Sequence, residues 1–309
     1  MALPSLARKS RSLLLRGLRP VAAAFPRLSL ALTSRFADPD AMGLTLDQLS
    51  ALFPELSRDR LAAARPAIAA QERRNALLFL LVAQRSIQAL WPLVSVRDAG
   101  GLEAVRGGPT VLVLWHAGVP LVEIPAVAKV GVPAVIPEPA NPYHPVPSVR
   151  FYNIHASREG RLQFLKHGLE HLRKGTGPVL FFLDRPVGDS GIEVEFLGGR
   201  LRLGKGAASL ARMSGARVVP VTSCWAEGSA SRVEVVFHPP LPEPDVPRKA
   251  RAEYEHAVLS QAAGWFERYL REHPERLRVL FSEDWLGRSG GAAAPGDGGP
   301  AARSDGSPA

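Results

Sequence analysis

His116 ends an apolar run, Thr110-Val111-Leu112-Val113-Leu114-Trp115, and is followed by Ala117-Gly118-Val119-Pro120. Val/Leu alternation over about this length predicts a buried parallel strand. The Gly-Val-Pro that follows suits a sharp turn into a helix, with Pro at or near its first position. His116 is thereby expected at the carboxyl end of a strand, where open α/β sheets place their ligands. An imidazole with an ordinary pKa of about 6.5 can take a proton there at neutral pH. The alternative is a histidine that caps the strand or bonds to a nearby carbonyl.

A second apolar run, Val179-Leu180-Phe181-Phe182-Leu183, ends in Asp184-Arg185-Pro186. Neighbouring parallel strands would bring Asp184 and Arg185 to the same sheet edge as His116. Their other reading is a capped loop or a local pair. Arg150, Arg158 and Arg161 follow a Pro-rich loop, 133–147, and are candidates for contacting a phosphate. A solvated helix start is the plainer reading for Arg161. His167-Gly168-Leu169-Glu170-His171 matches H-x-x-E-H, a zinc-hydrolase pattern. The leucines at 162, 165, 169 and 172 form the expected apolar stripe of that helix, which turns both histidines toward water. No metal is therefore expected. Gly199-Arg200-Leu201-Arg202-Leu203-Gly204-Lys205-Gly206 nearly matches a phosphate-cradling loop, but Gly206 stands where a Ser or Thr would hold magnesium. Cys224 follows a strand and reads as an inert core thiol.

These residues need a scaffold, and the chain is long enough to build one. Its 309 residues, 46% hydrophobic, allow one large α/β domain or two small ones. The single cysteine rules out an intramolecular disulfide and any Cys-rich zinc site. The net charge is +9, of which residues 1–36 hold +7: Arg8, Lys9, Arg11, Arg16, Arg19, Arg27 and Arg35, with no acid. A basic balance suits nucleic acid, anionic lipid or an acidic protein. Here the leucines of 1–36, wound as a helix, fall mostly on one side and the basic residues mostly on the other, with Arg11 and Leu15 out of place. That pattern predicts a helix lying at a membrane surface and no nucleic-acid partner. An organelle transit peptide is the other reading of an Arg-rich, acid-free start. The best apolar run, Ala76–Ala83, is eight residues, where a membrane span needs about 20.

Along the chain, a basic arm (1–36) precedes an α/β domain (37–287) and a Gly/Ala/Pro/Ser-rich tail (288–309) expected to be disordered. Short helices are predicted at Leu46–Leu52 and from Arg58, with Ser57 as N-cap and an interruption at Arg65-Pro66. A long apolar helix follows over Ile68–Leu90. The predicted strands are Thr110–Trp115, Ala134–Ile136, Val179–Leu183, Val218–Thr222 and Arg232–Phe237. The predicted helices between and after them are Leu121–Lys129, Glu159–Lys174, Lys205–Ser214 and Arg248–His273. This alternation implies an α/β fold: a mainly parallel sheet flanked by helices, with the N-terminal helices packed on the membrane side.

From about Leu52 to Trp285 the order of blocks resembles the lipid A biosynthesis acyltransferase family, the late lauroyl/myristoyl transferases, within the lysophospholipid acyltransferase-like group. The blocks are Leu52-Phe53-Pro54-Glu55-Leu56-Ser57; Gly108-Pro109 through His116; Leu183-Asp184-Arg185-Pro186-Val187-Gly188 with Glu195-Phe196-Leu197-Gly198; Leu210-Ala211-Arg212-Met213-Ser214-Gly215-Ala216-Arg217-Val218-Val219-Pro220; and Tyr269-Leu270-Arg271-Glu272-His273-Pro274-Glu275. The resemblance implies an O-acyltransferase at the cytoplasmic face of the inner membrane. It would move an acyl chain from acyl carrier protein or acyl-CoA to a hydroxyl of a lipid or glycolipid, as in lipopolysaccharide biosynthesis. His116 would act as general base, with no cofactor and no metal. Arg150, Arg158, Asp184 and Arg185 are the substrate-binding candidates.

Two positions depart from that family. Leu121 stands where the family pairs its histidine with an acid; the nearest acid is Glu123, seven residues after His116 and one turn into the next helix. Glu123 is therefore the expected partner of His116. Pro137 stands where the family carries an arginine shortly before Asn-Pro. These departures keep a weak or inactive lipid-binding homologue as the second reading, and a zinc hydrolase as the third.

Overall fold

The computed structural model describes residues 44–84, 87–119, 122–137, 149–152, 158–184, 191–229 and 231–278. The basic arm and the Gly-rich tail lie outside these residues. The chain enters through α1 (Leu46–Leu52), where Thr45 and Gln48 cap each other's backbone N–H groups. Helix α2 (Arg58–Gln84) begins at Ser57, whose hydroxyl accepts the Arg60 N–H at 3.3 Å, as an N-cap should. It is one helix of 27 residues. Pro66 lies inside it rather than between two helices, as the sequence had suggested, and the Arg65 side chain donates across to the Leu44 carbonyl at 3.1 Å.

After a 3-10 segment (Ile87–Leu93) come β1 (Val94–Asp98), α3 (Leu102–Gly107), β2 (Thr110–Leu114), α4 (Glu123–Val130), β3 (Ala134–Pro137), β4 (Val149–Tyr152), α5 (Arg158–Arg173) and β5 (Val179–Phe182). A hairpin, β6 (Gly191–Phe196) and β7 (Gly199–Gly204), leads to α6 (Gly206–Ser214), β8 (Arg217–Trp225), β9 (Val233–Phe237) and α7 (Arg251–Glu272). The main sheet has seven strands in the order β1-β9-β8-β2-β5-β3-β4. Strands β8, β2, β5, β3 and β4 run parallel; β9 turns back antiparallel on β8, and β1 runs parallel to β9. This is the mainly parallel, helix-flanked α/β sheet implied by the strand–helix alternation. No helix among the described residues is long and apolar enough to cross a membrane.

Strand β2 shows how the sequence builds both layers at once. All five of its residues are buried. Because side chains alternate across a sheet, Val111 and Val113 enter one core with α5, α6 and α7. Leu112 and Leu114 enter a second core with α3 and α4. Trp115 continues the first set and is clamped between Phe266 of α7, at 4.6 Å and nearly coplanar, and Phe196 of β6, at 5.3 Å. Such stacked pairs contribute about 0.5–1.5 kcal/mol each beyond area burial. They pin the end of β2 just before the histidine.

Several elements differ from the sequence reading. Gly199–Gly204 is an edge of a β-hairpin, not a phosphate loop: Leu201 and Leu203 are buried, while Arg200 and Arg202 alternate outward. Helix α5 buries Phe164, Gly168 and Leu172, whereas Leu162 is exposed. Its histidines are half-buried, not solvated: His167 packs on Tyr152, and His171 reaches the Pro133 carbonyl and the Thr176 hydroxyl. Strands β1, β4 and β6 and helix α3 are short, and the sequence pattern did not single them out.

Candidate active site

Strands β2 and β5 lie side by side in parallel, with Leu114 opposite Phe182. Two residues further on, that register sets His116 opposite Asp184. The chain holds it there: the Leu183 N–H donates to the Leu114 carbonyl at 2.9 Å. The His116 backbone N–H then donates to both Asp184 carboxylate oxygens, at 3.2 and 3.0 Å. Its ring Nδ1 lies 2.9 Å from Asp184 Oδ1. An ionised carboxylate can only accept, so Nδ1 carries the proton and Nε2 is left with its lone pair. The Asp184 side chain is 3% exposed and that of His116 30%, so the carboxylate is sealed behind an imidazole that still meets solvent. The ring packs on Phe182 at 4.5 Å.

Asp184 is thus engaged with the histidine rather than free to bind substrate. Glu123, the acid nearest in sequence, does not pair with His116. It is the first residue of α4, 3% exposed, and its Oε1 meets the Ser223 hydroxyl at 3.2 Å. Its Oε2 is buried with no hydrogen-bond partner. Burial raises its pKa to about 7, against the weaker opposing effects of its backbone and Ser223 hydrogen bonds and the charges of His116 and Arg278. Ser223 has one hydroxyl proton and gives it to the Val119 carbonyl at 2.8 Å, while accepting the Val119 N–H at 3.0 Å. The same hydroxyl lies in donating position to Glu123 Oε1, so Val119 and Glu123 share it. Glu123 therefore braces the histidine loop through Ser223, from a buried position that raises its pKa. Its neighbours Val122, Ile124, Pro125 and Val127, apolar throughout, were the sequence signal for a core position.

The loop itself, 116–119, is held on three further sides. Gly118 has φ +92°, and a Cβ there would sit 2.1 Å from the Ser223 carbonyl oxygen, so no larger residue fits. Asn75 of α2 donates to the Gly118 carbonyl at 2.9 Å and accepts the Trp225 indole N–H at 3.2 Å. Arg278 donates to the His116 carbonyl at 3.2 Å while its Nε lies 3.4 Å from Glu72. Asn75, Ser223 and Arg278 are far apart in the chain and carry no local motif, which is why sequence reasoning passed over them.

The remaining candidates fall elsewhere. Val135 pairs with both Arg150 and Val179, and Val179 with Val111. Arg150 is therefore level with the start of β2, five residues short of His116, about 16 Å at the rise of a strand. Its side chain is exposed, and its charge acts on His171 instead. It is not part of the His116 site. Arg158 opens α5; Arg185 and Leu121 lie outside the described residues, and Pro137 ends β3. No group of three or more metal-binding side chains is found among the described residues. In the H-x-x-E-H segment both ring nitrogens of His171 are engaged and Glu170 pairs with Lys174 at 2.6 Å, so the zinc reading has no ligand set. Cys224 is buried, and burial raises its thiol pKa, as an inert core thiol requires.

A buried carboxylate that orients a half-exposed histidine at the carboxyl edge of a parallel sheet is the arrangement of a general-base transferase or hydrolase. Residues 151–280 match the model of the bacterial lipid A biosynthesis acyltransferase family, which makes the chain an acyltransferase related to that family over this stretch. The match begins after His116 and takes in Asp184, β8 and Arg278. A solved structure, the 1-acyl-sn-glycerophosphate (LPA) acyltransferase PlsC from Thermotoga maritima, is 14% identical, covers 85% of this chain and 99% of its own, and superposes with a TM-score of 0.34. No curated protein matches the chain.

Proposed function

We propose that the protein transfers an acyl chain from a thioester, carried by acyl carrier protein or coenzyme A, to a hydroxyl of a lipid or glycolipid of the lipid A type. The observation that supports this best is the His116–Asp184 pair. Nε2 of His116 takes the proton of the acceptor hydroxyl as its oxygen attacks the thioester carbonyl. Asp184 holds the tautomer and stabilises the imidazolium that forms. The imidazolium then returns the proton to the departing thiolate, so no covalent enzyme intermediate is required. The reading of an inactive homologue rested on Leu121 in place of the usual acid, and on Pro137. Asp184 supplies the acid from the neighbouring strand and removes the first of those grounds.

Turnover of an acyl thioester with a lipid acceptor, measured beside circular dichroism, tests the reading. His116→Ala is expected to lower the rate about 10²–10⁴-fold with the fold intact. A variant as active as the parent overturns the mechanism. The basic arm supports a membrane placement: five substitutions to Gln, at Arg8, Lys9, Arg11, Arg16 and Arg19, are expected to weaken flotation with anionic vesicles. Each such residue contributes about 1 kcal/mol near an anionic surface. Unchanged flotation contradicts this placement.

A further inference from the structure

On the far side of the histidine loop from Asp184 lies a cavity of about 1010 Å³ between α2, the end of β8, and the 226–229 turn. Trp225 and Arg74 line it, and Asn75, next to Arg74, ties Trp225 to the Gly118 carbonyl. Arg74 is half-buried and rests over the Trp225 ring at 5.5 Å. Its Nε is sealed from solvent and makes no hydrogen bond. Among the described residues no carboxylate pairs with it. The other charges of the wall are largely spoken for: Arg97 pairs with Glu234 at 2.8 Å, and Arg276 lies 3.7 Å from Glu275 and donates to the Tyr269 hydroxyl. Burial and Arg276 hold the His273 pKa below its ordinary value, so it adds no charge at neutral pH. Glu227 is exposed on the rim.

A guanidinium N–H sealed from water without an acceptor is costly to the fold. Burial accordingly lowers the Arg74 pKa. Its one close packing partner is the Trp225 ring, and Ala67 and Ala70 leave the rest of that wall apolar. A planar fork of N–H donors facing a roomy, partly apolar cavity suits a phosphate or carboxylate on an amphiphile. We infer that this cavity is a binding site for the phosphate group of a substrate, with Arg74 as the residue that meets its charge. The choice of phosphate over carboxylate rests on the acyltransferase reading, since a phospholipid-type acceptor and a phosphopantetheine thioester both carry one. The site joins the histidine loop through Asn75, which bonds Trp225 of its wall and the Gly118 carbonyl.

The test is calorimetric binding to the full chain, with dioctanoyl phosphatidate, dioctanoylglycerol and coenzyme A as probes. Phosphatidate is expected to bind and dioctanoylglycerol, which lacks only the phosphate, is not. Arg74→Gln is expected to weaken binding about tenfold or more, the loss of one charge-assisted contact. Glu227→Gln, which removes a competing negative charge from the rim, is expected to strengthen it. Without ligand, Arg74→Gln should melt at the same temperature as the parent or higher, because an uncompensated charge has gone. Arg74-dependent binding of coenzyme A without phosphatidate assigns the phosphate to the donor; the reverse assigns it to the acceptor. The site is overturned if neither phosphate probe binds, if binding is unchanged in Arg74→Gln, if dioctanoylglycerol binds as well, or if Arg74→Gln melts several degrees lower. His116→Ala should bind the probes like the parent, so a failed mechanism and a failed site give different results.

Discussion

Two buried carboxyl groups flank His116, one just past the end of β5 and one at the start of α4 against β8, and they do opposite things. On the β5 side, Asp184 faces groups that can only donate: the His116 backbone N–H and the ring Nδ1–H. On the β8 side, Glu123 faces a serine hydroxyl already committed to the Val119 carbonyl, and its second oxygen faces nothing. Both are about equally hidden from water, so burial alone does not set the role of either. The number of N–H donors does. One carboxyl serves as the negative partner of an imidazole; the other, its pKa raised by burial, braces the loop that carries it.

The sharpest way to break this comparison is to exchange the two effects. Asp184→Asn leaves one amide oxygen where two carboxylate oxygens accepted, and removes the charge that stabilises the imidazolium. It is expected to lower acyl transfer about 10²–10⁴-fold with little change in fold. Steady-state turnover beside circular dichroism checks it; a loss smaller than that of Glu123→Gln would reverse the assignment of the two acids.

Glu123→Gln should hold its activity within a few-fold and instead change how stability depends on pH. In the folded protein Glu123 titrates at about 7, above its ordinary 4.5. Below pH 4.5 both folded and unfolded chains carry the proton, and the full contribution is present. Between 4.5 and 7 the folded chain keeps a proton that the unfolded chain has released, so stability falls as pH rises. Above 7 the contribution is gone, a change on the order of 3 kcal/mol. Urea unfolding at pH 5 and pH 8 should show that decline in the parent and a flatter profile in the variant. Equal slopes would mean that Glu123 is ionised in the fold.

Ser223→Ala sharpens the β8 side further. It strands the Val119 N–H and carbonyl and the Glu123 acid, and should cost about 1–3 kcal/mol, read from the urea midpoint. The smallest effect is expected away from both acids. His171→Ala removes two hydrogen bonds at the opposite end of the sheet and should lower stability by about 1 kcal/mol with turnover unchanged. A large loss of turnover there would reopen the question of a second chemical centre.

The histidine was legible because its strand is legible: an unbroken apolar run has few ways to fold, and its end is where the polar residue stands. Its partner was half legible. Asp184 was visible as a second strand-end acid, but proximity in sequence favoured Glu123, a few residues along. Sheet register overrode that proximity, placing residues 116 and 184 opposite one another across two neighbouring strands. The Gly199–Gly204 hairpin was misread for a related reason: glycines and arginines suggest a loop until Leu201 and Leu203 are seen to alternate inward. Helix α5 was misread because Leu162 looks like core, whereas Gly168 lets Leu210 and Val179 approach the opposite face. Short strands such as β4 depend for their existence on the neighbour they pair with, and no local pattern marks them.

The carbonyl of His116 is held by Arg278, and the next carbonyls of its loop by Asn75 and Ser223. Over two hundred residues separate the first and last of these supports. During synthesis the histidine is made early, yet its cradle is finished only when residue 278 has emerged and folded back onto Glu72. The reactive centre is thus among the last parts of the molecule to become rigid, and a partly made chain has the base without the frame that aims it.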